Sequence, residues 1–316
     1  MNKFAIILGE PNSINSEILA KSVAYKKKCL IIGSYKLLQS QLKILKIKRK
    51  VERFQNIQNL NMLKKKLNVL DIPLKFNKAF SVDPNESSIY IKKCFKTAHN
   101  LCLQKKIKGF INCSIDKKNL FKNKNTGVTE YLAKKNNVKD SEVMMIYNNK
   151  LSIVPITTHI KIKNVAKSLT KEIIKKKIKT LSNYYFKYFK LRPRIGVLGL
   201  NPHNFEFKKE SEEMKIILPA IKSLKRKINV SGPLSADTVF LKKNLKNFDV
   251  IIGMYHDQVL TPFKALFEFD AINITLGLPY IRISPDHGVA KDKIKLNISN
   301  PKSLNRCIQM ISSLIK

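Results

Sequence analysis

Four of the five histidines in this chain directly follow apolar runs that look like β-strands. They are His159, His203, His256 and His287. In an open α/β sheet the carboxyl ends of the strands form the crevice where ligands bind, so imidazoles on different strands can converge there. Converging imidazoles predict a metal site. The alternative is that each histidine caps its own strand or satisfies a local hydrogen bond.

The stretch from Val250 to Arg282 adds charged and polar groups to the same region. Lys264 and Arg282 flank Asn273 and suit a small substrate with two anionic groups, because phosphate and carboxylate both need charge-assisted donors. Lys264 alone is unremarkable in a lysine-rich chain, whereas Arg282 is one of only seven arginines. Asp237 either orients a metal-ligating histidine or begins the helix that follows it.

Composition restricts the class of protein. The chain has 316 residues and a formal net charge of +39, but 54 of its 61 basic residues are lysines spread over most predicted helices, which does not favour nucleic acid as a partner. Its five cysteines include no CxxC pair, which favours a reducing compartment. No apolar run approaches the roughly 20 residues that span a bilayer. We therefore expect a soluble, cytoplasmic protein with no membrane partner.

Apolar runs of strand length alternate with longer amphipathic stretches, which predicts an α/β fold with a mostly parallel sheet. The predicted strands are Phe4–Leu8, Cys29–Ile32, Gly109–Cys113, Leu151–Ile156, Arg194–Leu198, Val250–Gly253 and Ala271–Thr275. The predicted helices are Ser16–Lys27, Glu86–Gln104, Val165–Lys190, Ser211–Lys225, Ala236–Leu245 and Lys302–Ile315. Asn164 is the expected N-cap of the third helix, and residues 117–125 are expected to form a surface loop. The absence of GxGxxG argues against the usual dinucleotide turn.

Several segments closely resemble the 4-hydroxythreonine-4-phosphate dehydrogenase family of pyridoxal phosphate biosynthesis. They occur in the family's order over most of the chain. They are TTHIKIKNV (157–165), GLNPH (199–203) with SEE (211–213), GPLSADTVF (232–240), MYHDQ (254–258) with Lys264, and NITLGLPYIRISPDHG (273–288).

This resemblance implies a two-domain α/β/α fold like that of isocitrate and isopropylmalate dehydrogenases, with the active site in the interdomain cleft. The first domain would comprise residues 1–130 and 272–316, and the second, residues 131–271, would carry the metal ligands and the interface of a homodimer. The resemblance also implies NAD(P) and one divalent metal ion, zinc, magnesium or cobalt, near that interface. The implied metal ligands are His159, His203 and His256; the implied substrate contacts are Thr129, Lys264, Asn273 and Arg282, with Asp237 and Lys264 in catalytic roles.

Three segments depart from the family's pattern. The first-strand motif GDPAGIGPE is GEPNSINSE here (9–17), and NFEFKKES (204–211) replaces a glycine-rich stretch. The family's GHTE is GVTE, so Val128 stands where a histidine contacts the substrate phosphate. Valine donates no hydrogen bond. If the family's substrate is retained, another cation must cover the phosphate, and Lys117, Lys118, Lys122 and Lys124 are candidates close in sequence; if it is not retained, Val128 should line an apolar wall beside a different substrate group.

The expected reaction is NAD(P)-dependent, metal-assisted oxidation of 4-phosphooxy-L-threonine, followed by decarboxylation to 3-amino-2-oxopropyl phosphate. Two alternatives stay open. The chain could be a dehydrogenase for another 4-phosphorylated hydroxy acid, or a catalytically degenerate basic binding protein on the same scaffold.

Overall fold

A computed structural model of the chain describes residues 4–57, 62–121, 127–268 and 270–315. The strands are β1 (Phe4–Ile7), β2 (Leu30–Gly33), β3 (Val51–Phe54), β4 (Leu67–Asp71), β5 (Gly109–Asn112), β6 (Val143–Tyr147), β7 (Ser152–Pro155), β8 (Ile195–Leu198), β9 (Val230–Leu234), β10 (Val250–Gly253), β11 (Ile272–Leu276) and β12 (Ile281–Pro285). The helices are α1 (Asn15–Lys21), α2 (Tyr35–Ile44), α3 (Pro84–Leu103), α4 (Lys117–Phe121), α5 (Val128–Lys135), α6 (Val165–Ser168), α7 (Lys171–Phe189), α8 (Leu218–Lys222), α9 (Ala236–Val239), α10 (Lys242–Leu245), α11 (His256–Phe267) and α12 (Lys302–Leu314).

The chain divides into two compact units, Met1–Lys124 with Pro279–Lys316 (unit 1) and Asn125–Leu278 (unit 2). In unit 1 the strand order is β3-β4-β2-β1-β5-β12, and every pairing is parallel. In unit 2 the order is β11-β6-β7-β10-β8-β9; β6 runs antiparallel to both neighbours, while the other pairings are parallel. The α/β class with a mostly parallel sheet is confirmed.

The unit boundaries differ by a few residues from those we expected. Strand β11, which we assigned to the first domain, pairs with β6 over five residues from Ile272↔Tyr147 to Leu276↔Val143 and so lies in unit 2. The expected boundary after residue 130 would divide α5, whereas the whole of this helix lies in unit 2, which begins at Asn125.

All seven predicted strands are confirmed to within one residue at each end. These strands are mainly apolar and almost entirely buried, as strands covered by helices on both faces require. Their polar residues are Asn112, Ser152, Asn273 and Thr275, of which only Asn273 is partly exposed. The predicted helices Glu86–Gln104 and Lys302–Ile315 correspond to α3 and α12. Strands β3, β4, β6, β9 and β12 and helices α2, α4, α5 and α11 are additional to the prediction.

The other predicted helices are interrupted. The single helix expected over Val165–Lys190 breaks at Leu169, which is extended, and Thr170 caps the new helix α7 by accepting a hydrogen bond from Ile173 N. Asn164 occupies the N-cap position of α6, as predicted, but its side chain makes no capping hydrogen bond. The helix expected over Ser16–Lys27 ends at Lys21 and is followed by a 3₁₀ turn.

The remaining two predicted helices are broken in a similar way, and the predicted loop is partly helical. A π turn at Glu213–Ile217 precedes α8 within Ser211–Lys225, and two four-residue helices, α9 and α10, replace Ala236–Leu245. Lys117–Phe121, expected to be loop, forms α4, while residues 122–125 lie outside the described residues.

The five cysteines are all free and buried, and all lie in unit 1. Burial raises the pKa of the thiols of Cys29, Cys94, Cys102 and Cys113 to about 12, and the pKa of Cys307 is also raised by its burial. Within the described part of the chain, no helix combines the length and the apolar character needed to cross a membrane.

Candidate functional site

The imidazoles of His159 and His256 lie side by side in unit 2, with ring centroids 6.0 Å apart. They meet because β7 and β10 are adjacent parallel strands in register, ending at Pro155↔Gly253. Past the strand ends, Thr157 stays attached to the β10 side, since its N–H and its hydroxyl both donate to Met254 O at 3.1 and 2.7 Å. His159 follows in this loop, and His256 begins α11.

Each of these two imidazoles presents Nδ1 to a carboxylate. His159 Nδ1 lies 3.2 Å from Glu130 Oε1, and His256 Nδ1 lies 2.6 Å from Asp257 Oδ1. An ionised carboxylate can only accept, so the proton is on Nδ1 and Nε2 of each neutral ring is the free acceptor. This is the hydrogen-bonding pattern that proteins use to fix histidines as metal ligands.

Glu130 is held as an anion. Burial alone would raise its pKa, but the hydrogen bonds from His159 and Thr158 outweigh burial and lower the pKa of Glu130 to about 2. Glu130 lies in the first turn of α5, where the helix dipole also favours a negative charge.

A pocket of about 220 Å³ opens beside the two imidazoles. It is lined by residues 157–160, by Ile162 and Val165 from the turn that follows, and by residues 255–257 from the start of α11. One side of the pocket is apolar, and the other carries the imidazoles of His159 and His256. The apolar side is formed by Ile160, Ile162 and Val165. Such a mixture suits a small polar ligand.

His203, the third expected ligand, is placed differently. It follows β8, which is also a neighbour of β10, but its side chain is 77% exposed and its Nδ1 lies 3.8 Å from Asp237 Oδ2. Asp237 lies in the first turn of α9, so it both begins a helix and approaches a histidine. Among the described side chains, no three His, Cys, Asp or Glu residues are arranged to hold a metal ion.

The backbone explains the position of His203. Residues 203–207 all have left-handed dihedral angles, with φ between 47° and 57°, although none is glycine. Such a conformation costs an L-residue roughly 1–2 kcal/mol. This is the segment in which NFEF replaces the glycine-rich stretch of the resembling family. The strained turn begins at His203 itself.

Glu213 anchors the chain just before this turn. Its fully buried carboxylate accepts from Leu200 N at 2.7 Å, from Asn201 N at 2.8 Å and from the Asn201 amide group. Burial would raise the pKa of Glu213, but these hydrogen bonds lower it. Glu213 therefore fixes the chain between β8 and His203.

A divalent metal ion fits the donor chemistry of this region in part. The ring centroids of His159 and His256 lie 6.0 Å apart, and the Nδ1 atom of each ring is engaged by a carboxylate, which leaves Nε2 as the atom that could bind a metal ion. Imidazole ligands suit zinc and cobalt, whereas magnesium prefers oxygen ligands, so the two histidines fit zinc or cobalt better than magnesium. His203 supplies the same chemistry from the strained turn.

Three of the expected substrate contacts lie in unit 2. Thr129 Oγ1 lies 3.2 Å from Thr275 Oγ1, and Asn273 is two residues from Thr275 on the same face of β11. The Asn273 Oδ1 atom is buried without a partner among the described residues. Such an atom is expected to find an additional donor. Lys264, on α11, is half-buried, and this burial lowers its pKa.

Arg282, the fourth expected contact, lies on β12 in unit 1. It is buried, and its Nε donates to Asn112 Oδ1 at 2.7 Å. His287, the fourth histidine after a strand, also lies in unit 1, with Nδ1 2.9 Å from Gly288 O. Among the candidate lysines, Lys117 and Lys118 lie on α4 in unit 1, whereas Lys122 and Lys124 lie outside the described residues.

Val128 is the first residue of α5 and is only 5% exposed. It follows Gly127, the N-cap, and precedes Thr129. An apolar side chain therefore occupies the helix terminus at which the resembling family has a histidine.

The sequence pattern assigns no role to two carboxylates of this region. Glu130 is the last residue of the GVTE motif, and Glu213 is the last residue of SEE. Their roles depend on contacts across 29 residues to His159 and across 12 to Asn201, which spacing alone does not reveal.

Comparison with known proteins gives a consistent result. Residues 25–311 match the family described as Pyridoxal phosphate biosynthetic protein PdxA. The chain is 35% identical over 323 residues to a 4-hydroxythreonine-4-phosphate dehydrogenase of Sulfurihydrogenibium sp., covering 98% of this chain and 97% of that protein. It is 29% identical to a D-threonate 4-phosphate dehydrogenase of Pectobacterium atrosepticum, covering 98% of both.

Solved structures show the same likeness. The crystal structure of 4-hydroxythreonine-4-phosphate dehydrogenase from Klebsiella pneumoniae has a TM-score of 0.85 and 28% identity, covering 100% of both chains. An isocitrate dehydrogenase from Methylococcus capsulatus has a TM-score of 0.51 and 10% identity, covering 99% of this chain and 85% of that one, a likeness of fold alone.

Proposed function

Because the chain belongs to the family of pyridoxal phosphate biosynthetic protein PdxA and is a dehydrogenase of that family, we propose that it oxidises the secondary alcohol of 4-phosphooxy-L-threonine. The β-keto acid so formed loses CO₂ to give 3-amino-2-oxopropyl phosphate. The observation that carries this proposal is the His159–His256 pair, with a carboxylate on each Nδ1, at the carboxyl ends of β7 and β10. NAD(P), when bound, would supply the hydride acceptor for this oxidation.

The proposed metal ligands are His159, His203 and His256. His159 and His256 have the tautomer that a ligand needs, and His203 has the same side-chain chemistry with Asp237 near its Nδ1. A divalent ion bound by them would supply Lewis-acid polarisation of the substrate's oxygen. Zinc, cobalt and magnesium are the candidate ions.

The other proposed residues bind the substrate or move a proton. Thr129 and Asn273 offer a hydroxyl and an amide from α5 and β11, and the buried Asn273 Oδ1 needs a donor such as a substrate ammonium or hydroxyl group. Arg282 and Lys264 offer cations for phosphate and carboxylate. Since burial lowers the pKa of Lys264, its Nζ releases a proton more readily than that of an exposed lysine, which suits a catalytic role.

A second candidate substrate is D-threonate 4-phosphate, on which the Pectobacterium relative is named as acting. The observation that favours it is Val128, a buried valine that cannot donate a hydrogen bond where the family has a histidine. Such a change alters which groups of a substrate the α5 terminus can accept.

We further propose that the chain is a cytoplasmic homodimer with the metal residues near the subunit interface. Exposed apolar side chains next to the histidines support this arrangement, namely Ile160 and Ile162 near His159, and Phe205 and Phe207 near His203. Light scattering on the purified protein tests it, and a monomer at micromolar concentration would contradict it.

A turnover assay tests the activity. The purified protein is incubated with 4-phosphooxy-L-threonine or D-threonate 4-phosphate, with NAD⁺ or NADP⁺, and with Zn²⁺, Co²⁺ or Mg²⁺, and the reduced cofactor is followed by absorbance. We expect turnover of 4-phosphooxy-L-threonine that EDTA abolishes. Turnover of D-threonate 4-phosphate alone would establish the second candidate substrate. Turnover of neither substrate would contradict the proposed activity and favour the alternative of a catalytically degenerate basic binding protein.

A further inference from the structure

We infer that Glu130 is the positioning residue of His159, a role that rests on the proposed function of His159 as a ligand. Its carboxylate fixes the Nδ1–H tautomer and the orientation of the ring, and so keeps Nε2 free to act as an acceptor. The inference stands on contacts within unit 2, between the first turn of α5 and the loop after β7.

The contacts leave the carboxylate little freedom. Glu130 Oε1 accepts from His159 Nδ1 at 3.2 Å and from the hydroxyl of Thr158 at 2.5 Å. The neighbouring residues of one loop thus donate to one oxygen. Rotation of the carboxylate away from His159 would break both hydrogen bonds.

Gly127 brings the helix terminus close to the ring. A Cβ atom at this position would lie 2.5 Å from Glu130 Oε2 and 2.6 Å from His159 Cε1. At these distances a Cβ atom would push the Glu130 carboxylate and the His159 ring out of their positions. Glycine therefore lets the start of α5 pack directly against both groups.

The electrostatic surroundings keep Glu130 charged. Its Oε2 atom is buried and has no partner among the described residues, which would disfavour an isolated anion. Lys177 of α7 is itself buried and lies within electrostatic range of Glu130 and of Glu142. The buried ammonium therefore offsets part of the cost of burying the two carboxylates.

The carboxylate on the other imidazole is held less firmly. The side chain of Glu130 is 26% exposed, whereas that of Asp257 is 79% exposed. Water competes for Asp257 and screens its charge. Of the two carboxylates, Glu130 is therefore the one that dictates the state of its histidine.

Glu130 also links two parts of the proposed site. It follows Thr129, whose hydroxyl lies against that of Thr275 on β11, so one helical turn carries a proposed substrate contact, Thr129, and also holds a proposed ligand, His159. A change at Glu130 is therefore expected to lower kcat more than it raises KM, because the substrate contact is not itself removed.

The test uses Glu130→Ala and Glu130→Gln in the full chain, with Glu142→Gln as the matched control. Glu142 is a buried glutamate of unit 2 whose Oε2, like that of Glu130, has no hydrogen-bond partner, and among the described residues no hydrogen bond or ion pair joins Glu142 to His159. Two quantities are measured. The tautomer of His159 is read from ¹⁵N NMR of the metal-free protein at alkaline pH, and the Zn²⁺ dissociation constant from competition with a chelating dye.

In the wild type we expect the Nδ1–H tautomer at His159. Glu130→Ala should convert it to the Nε2–H tautomer and weaken Zn²⁺ binding by about 10–100-fold. Glu130→Gln keeps a neutral acceptor, so it should retain the Nδ1–H tautomer and lose less Zn²⁺ affinity than Glu130→Ala. This variant also provides the test if Glu130→Ala does not fold. Glu142→Gln should leave the tautomer unchanged.

An Nε2–H tautomer in the wild type, or an unchanged tautomer in Glu130→Ala, would overturn the inference. A tautomer shift in Glu142→Gln as large as in Glu130→Ala would also overturn it, since the effect would then be general disruption of unit 2. If the wild type binds no Zn²⁺, the proposed metal fails, but the tautomer in metal-free protein still decides the role of Glu130.

Discussion

Val128 is the residue at which this chain departs most clearly from its family in chemistry. Replacing Val128 with histidine restores a donor at the start of α5. If 4-phosphooxy-L-threonine is the substrate, Val128→His should raise kcat/KM by about tenfold or more, because a hydrogen bond to a charged group is worth roughly 1.5–3 kcal/mol. Initial rates with both candidate substrates measure the change.

Val128→Phe is the control, since it adds a ring to this buried position without a donor to phosphate. It should lower kcat/KM for either substrate. A loss of similar size in Val128→His would mean that the pocket is built around valine, and 4-phosphooxy-L-threonine would have to be reconsidered as the substrate.

The histidines give a second prediction at this scale. Changing His159, His203 or His256 singly to alanine should reduce bound metal and activity together, because two remaining ligands hold an ion poorly. His99→Ala is the matched control: His99 lies on α3 in unit 1, with Nδ1 2.9 Å from the Tyr280 hydroxyl oxygen. Metal content is measured by elemental analysis after dialysis. Full occupancy in all three variants would exclude the site.

The sequence predicted the pairing of His159 with His256 better than the position of His203. The first two follow strands that turn out to be adjacent, and strand adjacency follows from apolar runs and short connections. His203 follows a neighbouring strand as well, but its position depends on five left-handed residues that no apolar pattern reports. Glu130 could not be assigned a role, because its partner lies 29 residues away.

Among the elements, the turn from His203 to Phe207 carries the clearest backbone strain. Glu206 has a φ of 49°, is exposed, and its carboxylate lies 3.7 Å from Lys208 Nζ at the surface. Glu206→Gly should stabilise the protein by about 0.5–1 kcal/mol, because glycine adopts the left-handed conformation without the steric cost. Urea unfolding followed by circular dichroism gives the difference.

Lys208→Gly is the comparison for this prediction. Lys208 has a φ of −60°, which any residue adopts, so glycine there only adds freedom to the unfolded chain. It should destabilise the protein by about 0.5–1 kcal/mol. Equal effects of the two changes would mean that residue 206 is not left-handed in solution.

Helix boundaries show the limit of pattern reasoning at the level of elements. The amphipathic pattern runs through Val165–Lys190, yet the helix breaks at Leu169, since the Thr170 hydroxyl caps a new start. A threonine inside an amphipathic stretch can cap or continue a helix, and only its neighbours in space decide. Helix α11 was missed because Pro262 lies inside it.

For the whole molecule, strand direction separates the two units. The strands of unit 1 are all parallel, and β1 and β2 among them are continuous apolar runs buried along their whole length. The antiparallel β6 of unit 2 has the same apolar character, with four of its five residues buried, so its direction could not be predicted from composition. The hydrophobic pattern reports burial on both faces and is silent on direction.

Because of where the cysteines lie, the rate of thiol labelling reports how often unit 1 opens. All five thiols are buried in unit 1, and a thiol reacts through its thiolate only when it is exposed. Ellman's reagent should therefore leave the native protein almost unlabelled and modify five thiols in urea. Prompt labelling without denaturant would contradict this.

Because unit 2 contains no cysteine, the slow labelling of the native protein times the opening of unit 1 alone. A cysteine introduced at the buried Ala133 of α5 would report separately on the opening of unit 2, which holds His159 and His256. If the ion is bound within unit 2, added metal should slow the labelling of this cysteine and leave the labelling rate of the unit 1 cysteines unchanged.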